Sequence, residues 1–353
     1  MTAMTRPARP DEDDARLRPV PWRRMAGVTW RQHRIALAGV AVLLGALAVW
    51  LWSIGTPLHR AYAAAVACHP ASSLACQNLV STFNVSATNH AMGSKGPGGV
   101  LLQLLPALIG AFAGAPVLAR ELETGTFRYA WTQGIGRTRW TLAKLVPLAV
   151  TVAAAAGAFS VLFSWYFKPF VDQGLQTRLP PLAPLVFDLH GVAFAAWTLA
   201  ACSIGALAGM LIRRVVPAIA ATMAAWAGLA LSAGLFLRQH YLTPLVAHNP
   251  NLPGSAWIIS SWYTGRDGKP LSQAAVSQFL QGYHPAAKQV GPNSFQTNLD
   301  PVGYITQHGY KFWVTYQPGS RFWPFQWIEG GYLLGLSVLL LAATIWLVRH
   351  RAA

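Results

Sequence analysis

The chain has 353 residues, 54% hydrophobic and 11% charged, with a formal net charge of +16. A soluble domain carries roughly 25% charged residues, so this composition excludes an ordinary soluble fold and points to a membrane protein. The basic excess does not read as nucleic-acid binding, because Lys and Arg cluster at the edges of apolar runs, where each is worth about 1 kcal/mol beside anionic headgroups.

In chain order, residues 1–20 hold "DEDD" with scattered Arg and Pro and almost no large apolar residues, which predicts a solvated, disordered tail. The next stretch, "PWRRMAGVTWRQHR" at 21–34, puts Trp22, Met25, Ala26, Trp30 and His33 near one helical stripe, with Arg23, Arg24, Arg31 and Arg34 supplying charge. This pattern suits an amphipathic helix lying in the interface; the alternative is a basic flank that only fixes topology.

Six apolar runs follow, at about 35–56, 98–119, 145–167, 187–212, 215–237 and 330–348. About 20 apolar residues in a helix cross a bilayer core about 30 Å thick. Each run is continuously apolar, whereas a membrane barrel strand alternates over about 10 residues. The predicted fold is an all-α polytopic membrane protein with six transmembrane helices, an N-terminal amphipathic interfacial helix and an extracellular cap between helices 5 and 6. The bias of Lys and Arg toward one set of span ends places both termini, Arg213, Arg214 and the 120–144 loop in the cytoplasm, and residues 238–327 outside. The first run exceeds the 7 to 15 residues of a signal h-region, so "AYAAAVAC" reads as sequence after a retained anchor, not a cleavage site.

Of the three cysteines, Cys202 falls in the fourth run as a small packing residue. Cys68 and Cys76 fall in the first outer loop, on the oxidising side, and either bond locally or remain two thiols. Small-residue pairs occur at Gly110 and Gly114, Gly205 and Gly209, and Gly331 and Gly335. Such spacing lets helix backbones approach closely, within a subunit or between subunits.

In the outer loop, "KFWVTYQPGSRFWPFQW" (311–327) predicts a strand and then a turn at Pro318-Gly319. Trp323, Phe325 and Trp327 then read as an aromatic belt.

Catalytic chemistry has no footprint here: the sequence carries no GxxxxGK[ST], HExxH, CxxC or GxSxG pattern. No enzyme activity, metal or cofactor is therefore expected in this chain. The eleven acidic residues fall in the tail, the loops and the span ends, Asp188 and Glu329 among the last. A carrier driven by ions keeps an ionisable group inside the membrane despite a cost of about 2.5 to 3.5 kcal/mol, so energy is expected from elsewhere. His190, His240, His248, His284 and His308 are too irregularly spaced to predict a metal site.

The loop "RELETGTFRYAWTQGIGRTRWTLAK" (120–144) is the most distinctive segment. Glu121 and Glu123 carry the second helix about one turn further, and Gly125 stops it. Thr124 or Thr126 can cap a short helix through about Gln133 that holds Phe127, Arg128, Tyr129 and Trp131. Gly134 and Gly136 release the chain, and Arg137, Arg139 and Trp140 open the third span, with Lys144 at the headgroups. Aromatic residues and Arg on such a mount suit docking to another protein, because these types dominate interface hot spots. The plainer alternative is a basic topology loop.

The order ExExGT, ten residues, RxRW and a closing Lys resembles the first cytoplasmic loop of ABC-2-type transporter permeases, and "YQPGSRFWPFQWIEG" is similar to an actinobacterial branch of that family. The resemblance implies a permease subunit of an ABC exporter in the bacterial plasma membrane. It would pair with a second permease copy or a paralogue, most simply as a homodimer, and with two cytosolic ABC ATPase subunits that bind ATP and Mg. It also implies an amphipathic or hydrophobic cargo: drug, peptide or lipid. Glu121, Glu123, Gly125, Thr126, Phe127, Arg128, Trp131, Arg137 and Arg139 would form the ATPase-coupling segment, and Arg23 to Arg34 the connecting helix. The alternative is a non-transporting membrane sensor or anchor, with an extracellular ligand cap and a cytoplasmic partner dock.

Overall fold

The computed structural model describes residues 22–70, 73–90, 101–127, 136–171, 180–248, 252–283, 287–291, 294–297 and 301–351. Six helices are long and apolar enough to cross a membrane: Leu37–Ala67, Leu101–Thr124, Arg137–Val171, Ala193–Ile212, Val215–His240 and Gly319–His350. The chain is thus a polytopic, mostly helical membrane protein, and these helices are called spans one to six.

The first span departs from expectation at both ends. One continuous helix of 46 residues, Trp22–Ala67, replaces an interfacial helix followed by a separate span ending near residue 56. The change from Arg-rich to apolar sequence alters what surrounds the backbone without breaking it, and the Ala-rich 61–67 stretch has the strongest helix propensity of any residue type. Arg31 and Arg34 are exposed on this helix. The side chains of Trp22, Arg23, Arg24 and Trp30, and the whole of the 1–20 tail, lie outside the described residues. Cys68 and Cys76 are disulfide-bonded, and a second helix, Leu74–His90, stands where the first outer loop was expected. It folds back on the first, with Tyr62 and Phe83 rings 5.8 Å apart.

Spans two and four meet backbone to backbone. Span two opens into a π-turn at Gly110–Gly114, where the Ala115 N–H donates to the Gly110 carbonyl five residues back at 3.1 Å. A Cβ at Gly110 would lie 2.5 Å from Ala201, one at Gly205 2.5 Å from the Gly110 carbonyl oxygen, and one at Gly209 2.5 Å from that of Ala115. Two of the three small-residue pairs therefore pack against each other within one chain. Gly331 and Gly335 have open space where a Cβ would go, so they make no close approach inside the chain.

Span three begins eight residues before its predicted start, because Arg137 to Lys144 are already helical. Span four begins later than predicted. Pro184–Phe187 form a separate short turn of helix, and Gly191, at φ 72°, breaks the chain ahead of Ala193. The break is held by Gln326, whose Oε1 accepts the Ala193 N–H at 2.8 Å and whose Nε2 donates to the Phe187 carbonyl at 3.1 Å. Span six starts well before Gly330: its helix is Phe322–Arg351, so the aromatic stretch expected in the loop belongs to the helix. Trp323 and Trp327 are exposed, but Phe325 is fully buried in the core instead of joining a belt.

The segment between spans five and six is a cap with its own sheet. Strands β1 (Leu245–His248), β5 (Lys311–Gln317) and β2 (Trp257–Thr264) pair antiparallel in the order β1-β5-β2. The strand expected from "KFWVTYQ" is β5. A separate hairpin pairs β3 (Ala287–Gly291) with β4 (Ser294–Thr297).

Candidate functional site

Polar groups gather at two opposite ends of the bundle. Span five starts at Val215 beside Glu123 and finishes at His240 where the cap begins. The loop after span two and the cap are therefore at opposite ends.

At the loop end, span two stops where the sequence predicted, with Gly125 at φ 72° in the left-handed conformation that glycine adopts without strain. Glu121 pairs with Lys144 of span three, whose ammonium also lies 4.6 Å from the centre of the Trp140 ring. Lys144 is buried, with 3% exposure, so its pairing is what makes the position tolerable. Glu123 turns the other way: its Oε2 accepts the Val215 N–H at 3.0 Å and so occupies the first free donor of span five. The Thr124 hydroxyl donates to the Arg120 carbonyl at 2.9 Å and lies 3.1 Å from the Thr126 hydroxyl. Phe127 packs against the core, and Arg137 donates to the Arg349 carbonyl at 3.3 Å, touching the end of span six. Arg139 is half-buried at the start of span three. Arg128, Trp131 and the short helix expected through Gln133 lie outside the described residues.

At the cap end is a cluster the sequence reading did not assemble. Arg238 and Glu329, both fully buried, make two hydrogen bonds, Nε to Oε2 at 3.0 Å and Nη2 to Oε1 at 2.7 Å. Arg238 also pairs with Asp188, and its guanidinium carbon lies 4.4 Å from the Phe187 ring centre. Glu329 additionally accepts from the Trp197 indole at 2.8 Å and the Tyr241 hydroxyl at 3.0 Å. Arg238, expected at the start of the outer segment, is thus the centre of a buried knot. Glu329, read as the boundary of span six, lies two helical turns inside it. The signal was available: Asp188, Arg238 and Glu329 sit near the same-side ends of three consecutive spans with opposite charges.

Local backbone geometry makes the knot possible. Trp226 and Ala233 are buried, and a regular helix would turn Arg238 well away from their face. A π-turn at Ala233–Leu237, closed by the Arg238 N–H on the Ala233 carbonyl, adds one residue to that turn and returns Arg238 to the inside.

His190 sits beside this region, buried among Phe163, Phe167 and Phe322, with ring centres 6.1, 5.4 and 4.8 Å away. Its Nε2 has no partner among the described residues, and burial pushes its pKa down to about 4, so it is neutral at physiological pH. Among the described residues no three His, Cys, Asp or Glu converge as metal ligands.

Six apolar helices, with a reinforced loop at one end and a folded cap at the other, define a multi-pass membrane protein. Residues 41–238, more than half of the chain, match the family described as ABC-2 membrane transporter related, and the chain belongs to that family. Membership makes it a permease subunit of the kind that partners ABC ATPases. The match ends at Arg238, so the cap and span six follow the matched region. No curated protein and no solved structure matches the chain.

Proposed function

We propose that this chain is the membrane subunit of an ABC exporter in the bacterial plasma membrane, with both termini cytoplasmic. It works as a homodimer with two ATPase subunits that bind ATP and Mg, while the chain itself has no enzymatic activity and holds no cofactor. The cargo is an amphipathic or hydrophobic drug, peptide or lipid.

The observation that carries this reading is the mounting of the loop after span two. Glu121 holds it to span three through Lys144, and Glu123 holds it to span five through the Val215 amide. A protein pressing on residues 125–136 would displace spans two, three and five together, as coupling to a nucleotide-driven partner requires. Close backbone packing between spans two and four extends that body to span four. Trp131 and Arg128, from the same loop, are the docking residues, and Arg23 to Arg34 the connecting helix.

The test is extraction in mild detergent, followed by measurement of co-purifying ATPase and ATP hydrolysis in wild type, Trp131→Ala and Glu123→Ala. Loss of the partner with Trp131→Ala and of stimulated hydrolysis with Glu123→Ala is expected. Absence of any ATPase under every extraction condition would overturn the reading in favour of a membrane sensor.

A further inference from the structure

The cap carries a feature that the permease role does not use. In an antiparallel pair, directly opposed residues present their side chains on the same face. His248 of β1 is opposed to Trp313 of β5, and Trp313 to Trp262 of β2. Three rings from three strands therefore form one row across the sheet. The two indoles lie within 5° of parallel with centres 6.3 Å apart, and the His248 ring is 5.2 Å from Trp313. The Trp313 indole N–H donates to the Thr264 hydroxyl at 3.0 Å, which fixes the ring in its plane.

A cleft of about 410 Å³ opens beside Trp262 and Trp313 of this row, lined also by Arg266 and Lys311. Two hydrogen bonds to the His308 carbonyl, at 3.1 and 2.8 Å, hold Arg266 in place. Lys311 is exposed, and no carboxylate is among the described residues lining the cleft. Neighbouring Asp267 is engaged in its own turn, accepting the Lys269 N–H at 3.2 Å. The other face of the sheet is the packed one, with Val314 fully buried and Phe312 against Tyr263 at 4.9 Å.

We infer that this face of the cap is a binding site for an acidic saccharide, its sugar rings lying on Trp313 and Trp262 and its acidic group reaching Arg266 and Lys311. A pyranose ring presents an apolar C–H patch on its face and hydroxyls around its edge. Two parallel indoles bordered by the Thr264 hydroxyl and by two cationic side chains match both parts. Rigid aromatic surface gives contact area at little entropic cost. An acyl chain would instead need a deep apolar channel, and the two unopposed cations select against a neutral sugar.

The experiment uses the full-length protein in phosphatidylcholine nanodiscs, titrated calorimetrically with trigalacturonate and with maltotriose. Saturable binding of trigalacturonate is expected, with maltotriose at least about tenfold weaker. Trp262→Ala should weaken trigalacturonate binding by about tenfold or more, as truncating an aromatic anchor does. Because that change could disturb the sheet, Lys311→Glu, an exposed position, is the second variant. It should abolish the preference for the acidic sugar while leaving thermal unfolding unchanged. No trigalacturonate binding, equal binding of both sugars, or binding unaffected by Lys311→Glu would each overturn the assignment.

Discussion

Arg238 and Glu329, 91 residues apart in sequence, share two hydrogen bonds inside the helix bundle and have essentially no exposed surface. The pair joins spans five and six, Trp197 brings in span four, and Asp188 brings in the turn before it. A buried charge that loses its partner typically costs about 3 to 5 kcal/mol, whereas replacing the whole pair by apolar groups of similar volume is often neutral. Glu329→Ala is expected to lower the thermal midpoint in detergent by several degrees. Arg238→Met combined with Glu329→Leu and Asp188→Asn, which leaves no charge of the knot without its partner, should recover part of that loss, and no recovery would contradict the pairing.

The crossing of spans two and four has no room for a side chain. Gly205→Leu would drive atoms into the Gly110 carbonyl, and overpacking of this kind costs roughly 1 to 3 kcal/mol. Gly335→Ala, with open space around it, should cause no loss of stability and gain slightly from helix propensity. Equal sensitivity at the two sites in a thermal-shift assay would remove the crossing from the account.

Glu123 places a carboxylate on the first free amide of span five, and an anion at a helix N-terminus contributes about 0.5 kcal/mol at an exposed site. Glu123→Ala should therefore barely change unfolding, yet abolish stimulated ATP hydrolysis. If turnover falls only in proportion to the folded fraction, the residue is a cap and nothing more.

The pH dependence has a defined sign at His190. Its pKa falls from 6.5 to about 4 on burial, so the unfolded chain binds the proton more tightly than the folded one. The stabilisation from keeping His190 neutral is complete above pH 6.5 and is lost as pH falls toward 4. Thermal midpoints measured between these values should slope upward with pH in wild type. The slope should be shallower in His190→Gln, and an identical slope would place the titration elsewhere.

Much of the bundle was legible because six apolar runs report bilayer thickness directly, and Gly125 marked its helix stop by residue type alone. What escaped depended on partners far away in sequence. The Leu74–His90 helix is polar and is held by packing and by Cys76, so no apolar run announced it. Glu329 looked like a boundary because charge usually ends a span, and partners contributed from other elements, Arg238, Trp197 and Tyr241, make an internal position tolerable. At the candidate site, Glu121 and Glu123 stood out by composition, but their separate partners Lys144 and Val215 could be found only in three dimensions.

The wide turn at Ala233–Leu237 amounts to one residue more than an α-helix needs between Ala233 and Arg238. Removing a single residue there would convert the turn to ordinary helix and leave the arginine four positions after Ala233, still pointing inward. A deletion in mid-helix, normally among the most disruptive changes, should then be better tolerated at this point than an insertion. Chain length here is a tuning peg for the buried charge, with slack in only one direction.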